Sequence, residues 1–406
     1  MSMTRILFFT LVVPTLWFGV HVYIGRRLLE RGLWRKATRQ AGWATLLGLG
    51  LVTLLTQIGG RLGLEEALGG WMDPLYWVSY VYMGFFCLLL FAVLASELAR
   101  LVPRLGASEV GLTEGVAIPG DKDDGREVDE GRRSFLRGLN MSVVGAAGGL
   151  TALGVHNARR KLDVVDVEVP IKDLPEALEG FRIVQISDLH IGPTIRRPFV
   201  ERVVEVANGL GGDLIAVTGD LVDGNVAQRR GDVAPLKQLK AREGVFYVTG
   251  NHEYYWGVGQ WLDEVKRLGF TALNNAHVVL ERGGAKLAVA GVTDLKGGQF
   301  DPSHASDPRK AIDGAPQEAV KVLLAHRPRS AFEAVKAGFD LQLSGHTHGG
   351  QFAPWSLLVW MAQPFLAGFH VLDGMAVYVS RGTGYWGPPV RLAADPEITR
   401  LTLVRG

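Results

Sequence analysis

Apolar residues are spread unevenly along the chain, and their pattern changes near residue 160. Before that point, long apolar runs are separated by arginine clusters; after it, short apolar runs alternate with amphipathic stretches. Residues 6–24, 41–58 and 75–95 each approach the ~20 apolar residues that a helix needs to cross a bilayer core, so three spanning helices are expected. A fourth stretch, residues 139–155, is shorter and rich in Gly and Ala, and fits either a further span or a soluble helix with a small-residue face. From Val164 onward, β-type runs at 182–186, 214–217, 245–248, 286–290, 320–324, 341–343 and 377–379 are separated by helical patterns such as 198–208, 258–268 and 329–337. That alternation predicts an α/β domain with buried strands. The expected organisation is a transmembrane helical region at 1–105, a charged linker at 106–137, a weak fourth span or signal anchor at 138–158, and a soluble domain at 160–406.

Charge orients the helices, because basic loops stay on the cytoplasmic side. The first connection carries Arg26, Arg27, Arg31, Arg35, Lys36 and Arg39, whereas the second sets Arg61 against Glu65, Glu66 and Asp73. The first loop is therefore expected inside and the second outside. Arg100, Arg104, Arg126, Arg132, Arg133 and Arg137 agree with a return to the cytoplasm after the third span. If residues 139–155 cross, the soluble domain lies outside. Arg132-Arg133-Ser134-Phe135-Leu136-Arg137, ahead of a weakly apolar run, resembles a twin-arginine export signal; the plainer reading is a juxtamembrane basic cluster. No A-x-A cleavage site follows, which favours an uncleaved anchor in a cytoplasmic (inner) membrane. A net charge of +2, without a lysine-rich stripe interleaved with aromatics, leaves a nucleic-acid partner unsupported, and no protein partner is implied. Cys87, the single cysteine, can form neither an intrachain disulfide nor a thiolate metal cluster.

Polar residues gather where the β-type runs end: Ser187-Asp188-Leu189-His190, Gly219-Asp220, Gly250-Asn251-His252, His326 and Gly345-His346-Thr347-His348. Ligands of open α/β sheets sit beyond the carboxyl ends of strands, so these distant segments are expected at one rim. Asp188 and His190 are two apart, and in an extended segment both would leave on one face and chelate one cation. Asp220 adds a carboxylate able to bridge two cations, with Gly219 allowing close backbone approach. Singly, each of these has an ordinary explanation as a polar loop, a turn, a cap or a rim histidine. Their joint occurrence, in order and at strand ends, points to a metal centre of Asp188, His190, Asp220, Asn251, His326, His346 and His348.

In this order D-x-H, G-D-x-x-D, G-N-H-E, an isolated His and G-H-x-H resemble the calcineurin-like metallophosphoesterases, over about residues 181–384. The resemblance implies an α/β fold, a four-layer α/β/β/α sandwich of two mixed sheets with helices outside, and a binuclear metal-dependent phosphoesterase. It implies a first divalent ion on Asp188, His190, Asp220 and His348, and a second on Asp220, Asn251, His326 and His346. That donor set suits Mn first, with Fe or Zn as alternatives, better than Mg or Ca. Two cations ~3.5–4 Å apart would lower the pKa of a bridging water toward ~7, and hydroxide would attack phosphorus in line. His252 is placed to protonate the leaving group. Asp223 of G-D-x-x-D would hold the tautomer of His252, a helix or turn cap being its plainer reading; Glu253 has no assigned chemistry, and a solvated carboxylate or a partner supporting the ligands is enough to explain it.

Arg381, after a β-type run, can bring charge to a phosphate or form a structural salt bridge. His304 and His370 fit no spacing. The longer Gly345-His346-Thr347-His348-Gly349-Gly350-Gln351 also resembles a bacterial membrane-associated branch with twin-arginine-exported phosphoesterases and UDP-2,3-diacylglucosamine pyrophosphatases. The expected substrate is a phosphomonoester or phosphodiester, small or lipid-linked, from a membrane or envelope. Alternatives are a UDP-2,3-diacylglucosamine-type pyrophosphate of lipid A synthesis, and a non-catalytic module sensing metal or phosphate. The apolar run 352–369, with Trp355, Trp360 and Phe365, fits bilayer contact, an acyl pocket or core.

Overall fold

Period-two alternation sends neighbouring residues of one strand to opposite sides of a sheet, and the chain after residue 160 buries both sides. Its strands are β1 (Asp163–Ile171), β2 (Arg182–Ile186), β3 (Leu214–Val217), β4 (Val245–Tyr247), β5 (Thr271–Ala272), β6 (Ala276–Arg282), β7 (Ala285–Gly291), β8 (Val320–Leu324), β9 (Leu341–Ser344), β10 (Gly368–Leu372), β11 (Met375–Val379) and β12 (Glu397–Arg405). In the computed structural model, which describes residues 11–30, 34–109 and 130–406, they form two six-stranded sheets. Their orders are β1-β12-β2-β3-β4-β5 and β10-β11-β9-β8-β7-β6. Both are mixed: β2 through β5 run parallel, as do β7, β8, β9 and β11, while β12 is antiparallel to β2, β6 to β7 and β10 to β11.

Ile183, Leu214, Ala216 and Phe246 of one sheet meet Leu287, Val289, Val322 and Leu341 of the other in a central core. Their neighbours Val184, Ile186, Ile215 and Val217 face away, onto Val200, Val203, Val204 and Ala207 of helix Arg197–Gly209 and onto Trp261 and Val265 of helix Val258–Arg267. The i, i+3, i+4, i+7 spacing in Arg197–Gly209 makes one apolar stripe, and Pro198 sits in its first turn, where a missing N–H costs nothing. On the far side of the second sheet, Ala290, Leu323, Val377 and Val379 are covered by Ala311, Ala331 and Ala334 of two short helices. The result is the four-layer α/β/β/α sandwich. Gln185 crosses the central layer near the strand ends, donating to Thr218 Oγ1 (2.9 Å) and to the Ser344 carbonyl (2.9 Å), and so fixes the two sheets at one rim.

The described chain divides into two compact units, Met1–Leu153 and Gly154–Gly406. Among the described residues, three helices are long and apolar enough to cross a bilayer: Lys36–Gly60, Gly69–Ala99 and Arg137–Arg160. The runs 41–58 and 75–95 fall inside the first two. The weaker run 139–155 falls inside the third and belongs to one helix, Glu130–Arg160. Of the expected first span, residues 6–10 lie outside the described residues, and helix Val13–Gly25 is its described part. Residues 110–129 of the expected linker and the side chains of Arg132 and Arg133 in the twin-arginine-like motif also lie outside them. Within the first unit His21 is fully buried, its ring nitrogens 2.8 Å from the Trp17 carbonyl and 2.9 Å from the Tyr82 hydroxyl.

Candidate metal centre

The loops that follow β2, β3, β4, β8 and β9 carry Asp188 and His190, Asp220, Asn251 and His252, His326, and His346 and His348 respectively. Their backbone differs from the extended segment expected around Asp188 and His190. Asp188 (φ 53°), His190 (φ 48°), Asp220 (φ 50°), His346 (φ 71°) and His348 (φ 53°) all adopt left-handed conformations. A non-glycine residue there costs about 1–3 kcal/mol and persists where its surroundings over-determine it. Here the surroundings are the other loops. Asp188 N donates to the Gly219 carbonyl (3.0 Å), His190 N to the Asp220 carbonyl (3.1 Å), and Gly384 N to the Asp188 carbonyl (3.0 Å). Two side chains of this segment therefore reach one place because the chain kinks twice. Gly219 is required in the same way: at φ 90°, a Cβ would lie 2.6 Å from Gly250 N and 2.9 Å from His326 Nδ1.

Side-chain donors converge in two neighbouring groups. His190 Nε2 lies 3.0 Å from His348 Nε2, 4.0 Å from Asp188 Oδ1 and 3.7 Å from Asp220 Oδ2, and His348 Nε2 lies 3.5 Å from Asp188 Oδ1. On the other side, His326 Nε2 lies 3.2 Å from Asp220 Oδ2 and 3.2 Å from His346 Nδ1. Asp220 belongs to both. Asn251, buried, turns its Oδ1 to Arg327 Nη2 at 2.9 Å. Outer hydrogen bonds set which nitrogen is free. His326 Nδ1 meets the Thr218 carbonyl (2.9 Å) and His190 Nδ1 meets Asp223 Oδ2 (3.1 Å), so Nε2 of each ring is the nitrogen directed inward.

This donor set fits divalent cations. Two imidazole–imidazole contacts, each able to share at most one proton, and two adjacent buried carboxylates form an arrangement that cations between them would relieve. Burial pushes the Asp188 carboxyl upward, whereas Asp220, equally buried, is held well below the usual range by His326 and His252. His326 is pulled down by burial, but Asp220 raises it to about 10, so loading a cation there must displace a proton.

His252 and Asp223 form a close pair, with Nδ1 2.5 Å from Asp223 Oδ1. Burial opposes charge on this imidazole, yet Asp220 and Asp223 together raise it to about 9. Burial likewise opposes charge on Asp223, but His252 and His190 hold it far below the carboxylate range. Asp223 thus touches His252 with one oxygen and His190 with the other.

Three further residues shape the site: the sequence marks Glu253 only as the last residue of G-N-H-E, without its role, and gives little or no sign of the other two. Glu253 is completely buried and accepts from Gly250 N (2.7 Å), Leu221 N (2.7 Å) and Asp220 N (3.2 Å), clamping two ligand-bearing loops together. Arg327, anchored by Asp294 (2.7 Å), brings a cation beside Asn251; its position directly after His326 at a strand end is the available clue. Arg391, fully buried, donates to the carbonyls of His348 (2.8 Å), Arg381 (2.8 Å) and Gly384, and lies 3.1 Å from His348 Nδ1. Arg381 itself pairs with buried Glu397, Nε to Oε2 at 2.5 Å. His304 contacts the Tyr254 hydroxyl (2.9 Å) and His370 the Ala367 carbonyl (3.0 Å), both outside the two groups. Exposed Tyr255 and Trp386 stand edge-on to His252, at ring distances of 5.3 and 5.8 Å.

Residues 181–350 match the family model described as calcineurin-like phosphoesterase. A Danio rerio protein described as a transmembrane protein with metallophosphoesterase domain is 32% identical over 410 residues, covering 97% of this chain and 89% of that protein. The chain belongs to the calcineurin-like phosphoesterase family. A Bos taurus protein of the same description is 38% identical over 287 residues, or 68% of this chain and 64% of its own length. Among solved structures, a 5'-nucleotidase precursor from Thermus thermophilus covers 55% of this chain and 54% of its own, with 17% identity and a TM-score of 0.34, too distant to bear on function. As a calcineurin-like phosphoesterase the chain is a phosphoester hydrolase of the metallophosphoesterase type. The family typically binds two divalent metals, and the His/Asp groups described above can hold them. These two relatives, from Danio rerio and Bos taurus, are named as transmembrane proteins, in keeping with the three apolar helices.

Proposed function

We propose that the chain is a two-metal hydrolase of a membrane-associated phosphoester. Asp188, His190, Asp220 and His348 would hold one divalent ion, and Asp220, Asn251, His326 and His346 the other. The observation that carries this reading is the inward convergence of His190 and His326 Nε2 upon Asp220 Oδ2, with their outer nitrogens committed to Asp223 and to the Thr218 carbonyl. Cations bound there supply Lewis-acid charge to phosphoryl oxygens and activate water at neutral pH; the mixed imidazole, carboxylate and amide set favours Mn. His252, protonated at neutral pH, donates to the departing oxygen, and Asp223 fixes its orientation. Arg327 sets a positive charge beside Asn251, suited to a non-bridging phosphoryl oxygen.

The test uses the full chain in detergent with Mn and two substrates, bis(p-nitrophenyl) phosphate and p-nitrophenyl phosphate, whose relative rates separate diesterase from monoesterase. The wild type is expected to turn over at least one of them, with Asp220→Ala slower by about 10³-fold or more. Equal rates for the two proteins would sink the two-metal reading. Placement is tested separately. Arginine distribution supports a cytoplasmic-membrane protein in which the helix containing residues 139–155 is the last span and the catalytic domain, from about residue 160, is outside. Alkaline phosphatase fused after residue 160 is expected to be active; an inactive but stable fusion puts the domain in the cytoplasm.

A further inference from the structure

Helix Trp355–Ala362 follows the His346 to Gly350 turn, and none of its eight residues is buried. Trp355 (41%), Leu357 (56%), Leu358 (47%), Trp360 (61%) and Met361 (70%) are exposed. Adjacent positions such as 357 and 358 point about 100° apart around a helix, so apolar surface is presented on more than one side. The helix is therefore not a stripe lying on the domain's own core, which removes one of the three roles open to this run in the sequence. From Gln351 through Phe369 the chain has no Asp, Glu, Lys, Arg or His. A contiguous exposed apolar patch of this kind marks an interaction surface.

What it meets follows from its neighbours. Phe352 bridges to Leu392, and Leu392 N donates to the Gln351 carbonyl (3.1 Å). Val390 and Arg391 hold the end of an apolar helix: Arg391 N donates to the Gly154 carbonyl (3.0 Å), Asn157 Nδ2 to the Arg391 carbonyl (3.2 Å), and a Cβ on Gly154 would lie 2.5 Å from Val390 Cγ1. Gly154 and Asn157 belong to Arg137–Arg160, one of the helices long and apolar enough to cross a bilayer. The exposed helix is thus continuous, through the strip at residues 390–392, with the end of a candidate span. At about 12 Å, eight residues are too short to cross, and two Trp with apolar residues between, exposed on more than one side and without a charged face, suit a short helix dipped into the headgroup and acyl boundary. On its other side the same surface reaches the metal centre. Ser356 packs against Gly350, and Gln351 accepts from Trp386 N (2.9 Å), whose ring stands beside His252.

We propose that helix Trp355–Ala362 seats in the headgroup and acyl boundary of the bilayer and holds the adjoining metal cleft at the level of lipid phosphates, so that the substrate class is a lipid phosphoester. The substrate class rests on the hydrolase reading above; the seating of the helix does not.

Two measurements on the full chain in phosphatidylcholine–phosphatidylglycerol nanodiscs separate these. In a Cys87→Ser background, a nitroxide at Met361→Cys is expected to relax with oxygen in preference to a water-soluble nickel chelate, and one at Lys240→Cys to show the reverse. Equal chelate access at both sites overturns the seating. So does a label at 361 shielded from both relaxants, the outcome if a second copy or another protein covers the helix. In the second measurement, Leu357→Ser with Trp360→Ser is expected to slow hydrolysis of a lipid bearing a p-nitrophenyl phosphodiester headgroup about tenfold, while bis(p-nitrophenyl) phosphate changes less than about twofold. An unchanged lipid rate, or an equal fall on both substrates, overturns the link to substrate. A wild type inactive on both overturns the hydrolase reading and with it the substrate class, while the depth measurement still decides the helix.

Discussion

Asp223 faces His190 with one carboxylate oxygen and His252 with the other, and a carboxylate accepts both hydrogen bonds where an amide accepts only one. Asp223→Asn is therefore expected to lower kcat/KM by about 10²–10⁴-fold, and to weaken metal retention at His190 by about 10–100-fold, measured by metal analysis after gel filtration. The pH profile carries a separate signature. Asp220 and Asp223 raise His252 to about 9 against the effect of burial, and its acid form is the working one. The rate is thus lost as pH rises through the His252 pKa, which cations bound at Asp220 would bring below that value, and Asp223→Asn moves the fall to lower pH. An alkaline limb that stays in place in the variant would falsify the proton-handling pair. At this scale the polar residues at strand ends are legible in the sequence because their types and order carry the chemistry. The left-handed backbone at Asp188, His190, Asp220, His346 and His348 is not, because contacts between loops impose it. The role of Glu253, and Arg391 altogether, are equally hidden, since most of their partners are backbone atoms.

Elements whose two faces are both buried announce themselves as unbroken apolar runs, and β2, β3, β8 and β9 are legible nearly to the residue. β1, β6, β10 and β12 are not. β1 alternates exposed positions with half-buried ones, only Val169 and Ile171 being buried, and its pairing with β12 joins segments more than two hundred residues apart, which no local pattern encodes. Residues 139–155 rank low by hydropathy for their Gly and Ala content, yet they lie in an uninterrupted helix. The loops between elements depend on Glu253 as a clamp, and this is testable. Glu253→Gln replaces an acceptor oxygen by a donor facing N–H groups and is expected to cost about 1–3 kcal/mol in chemical denaturation, with loss of bound metal. Unchanged stability and metal content would show that the three N–H groups find other partners.

For the whole molecule, metal and fold are linked. Asp188 and Asp220 are buried side by side, so a cation bound only by the native state stabilises it by about 2.7 kcal/mol at a concentration one hundred times its Kd. The unfolding midpoint is expected to rise with Mn, to fall with a chelator, and to respond to neither in Asp220→Ala. Metal affinity should tighten as pH rises, because His326, raised to about 10, must give up its proton. The sheet order also dictates a sequence of events in biosynthesis. β12 lies between β1 and β2, so the strand nearest the last apolar helix has no neighbour in the sheet until residues 397–405 have left the ribosome. The first sheet therefore keeps an open seam between β1 and β2 until β12 has been made, and the last strand of the domain is the one that joins its first strand to the rest.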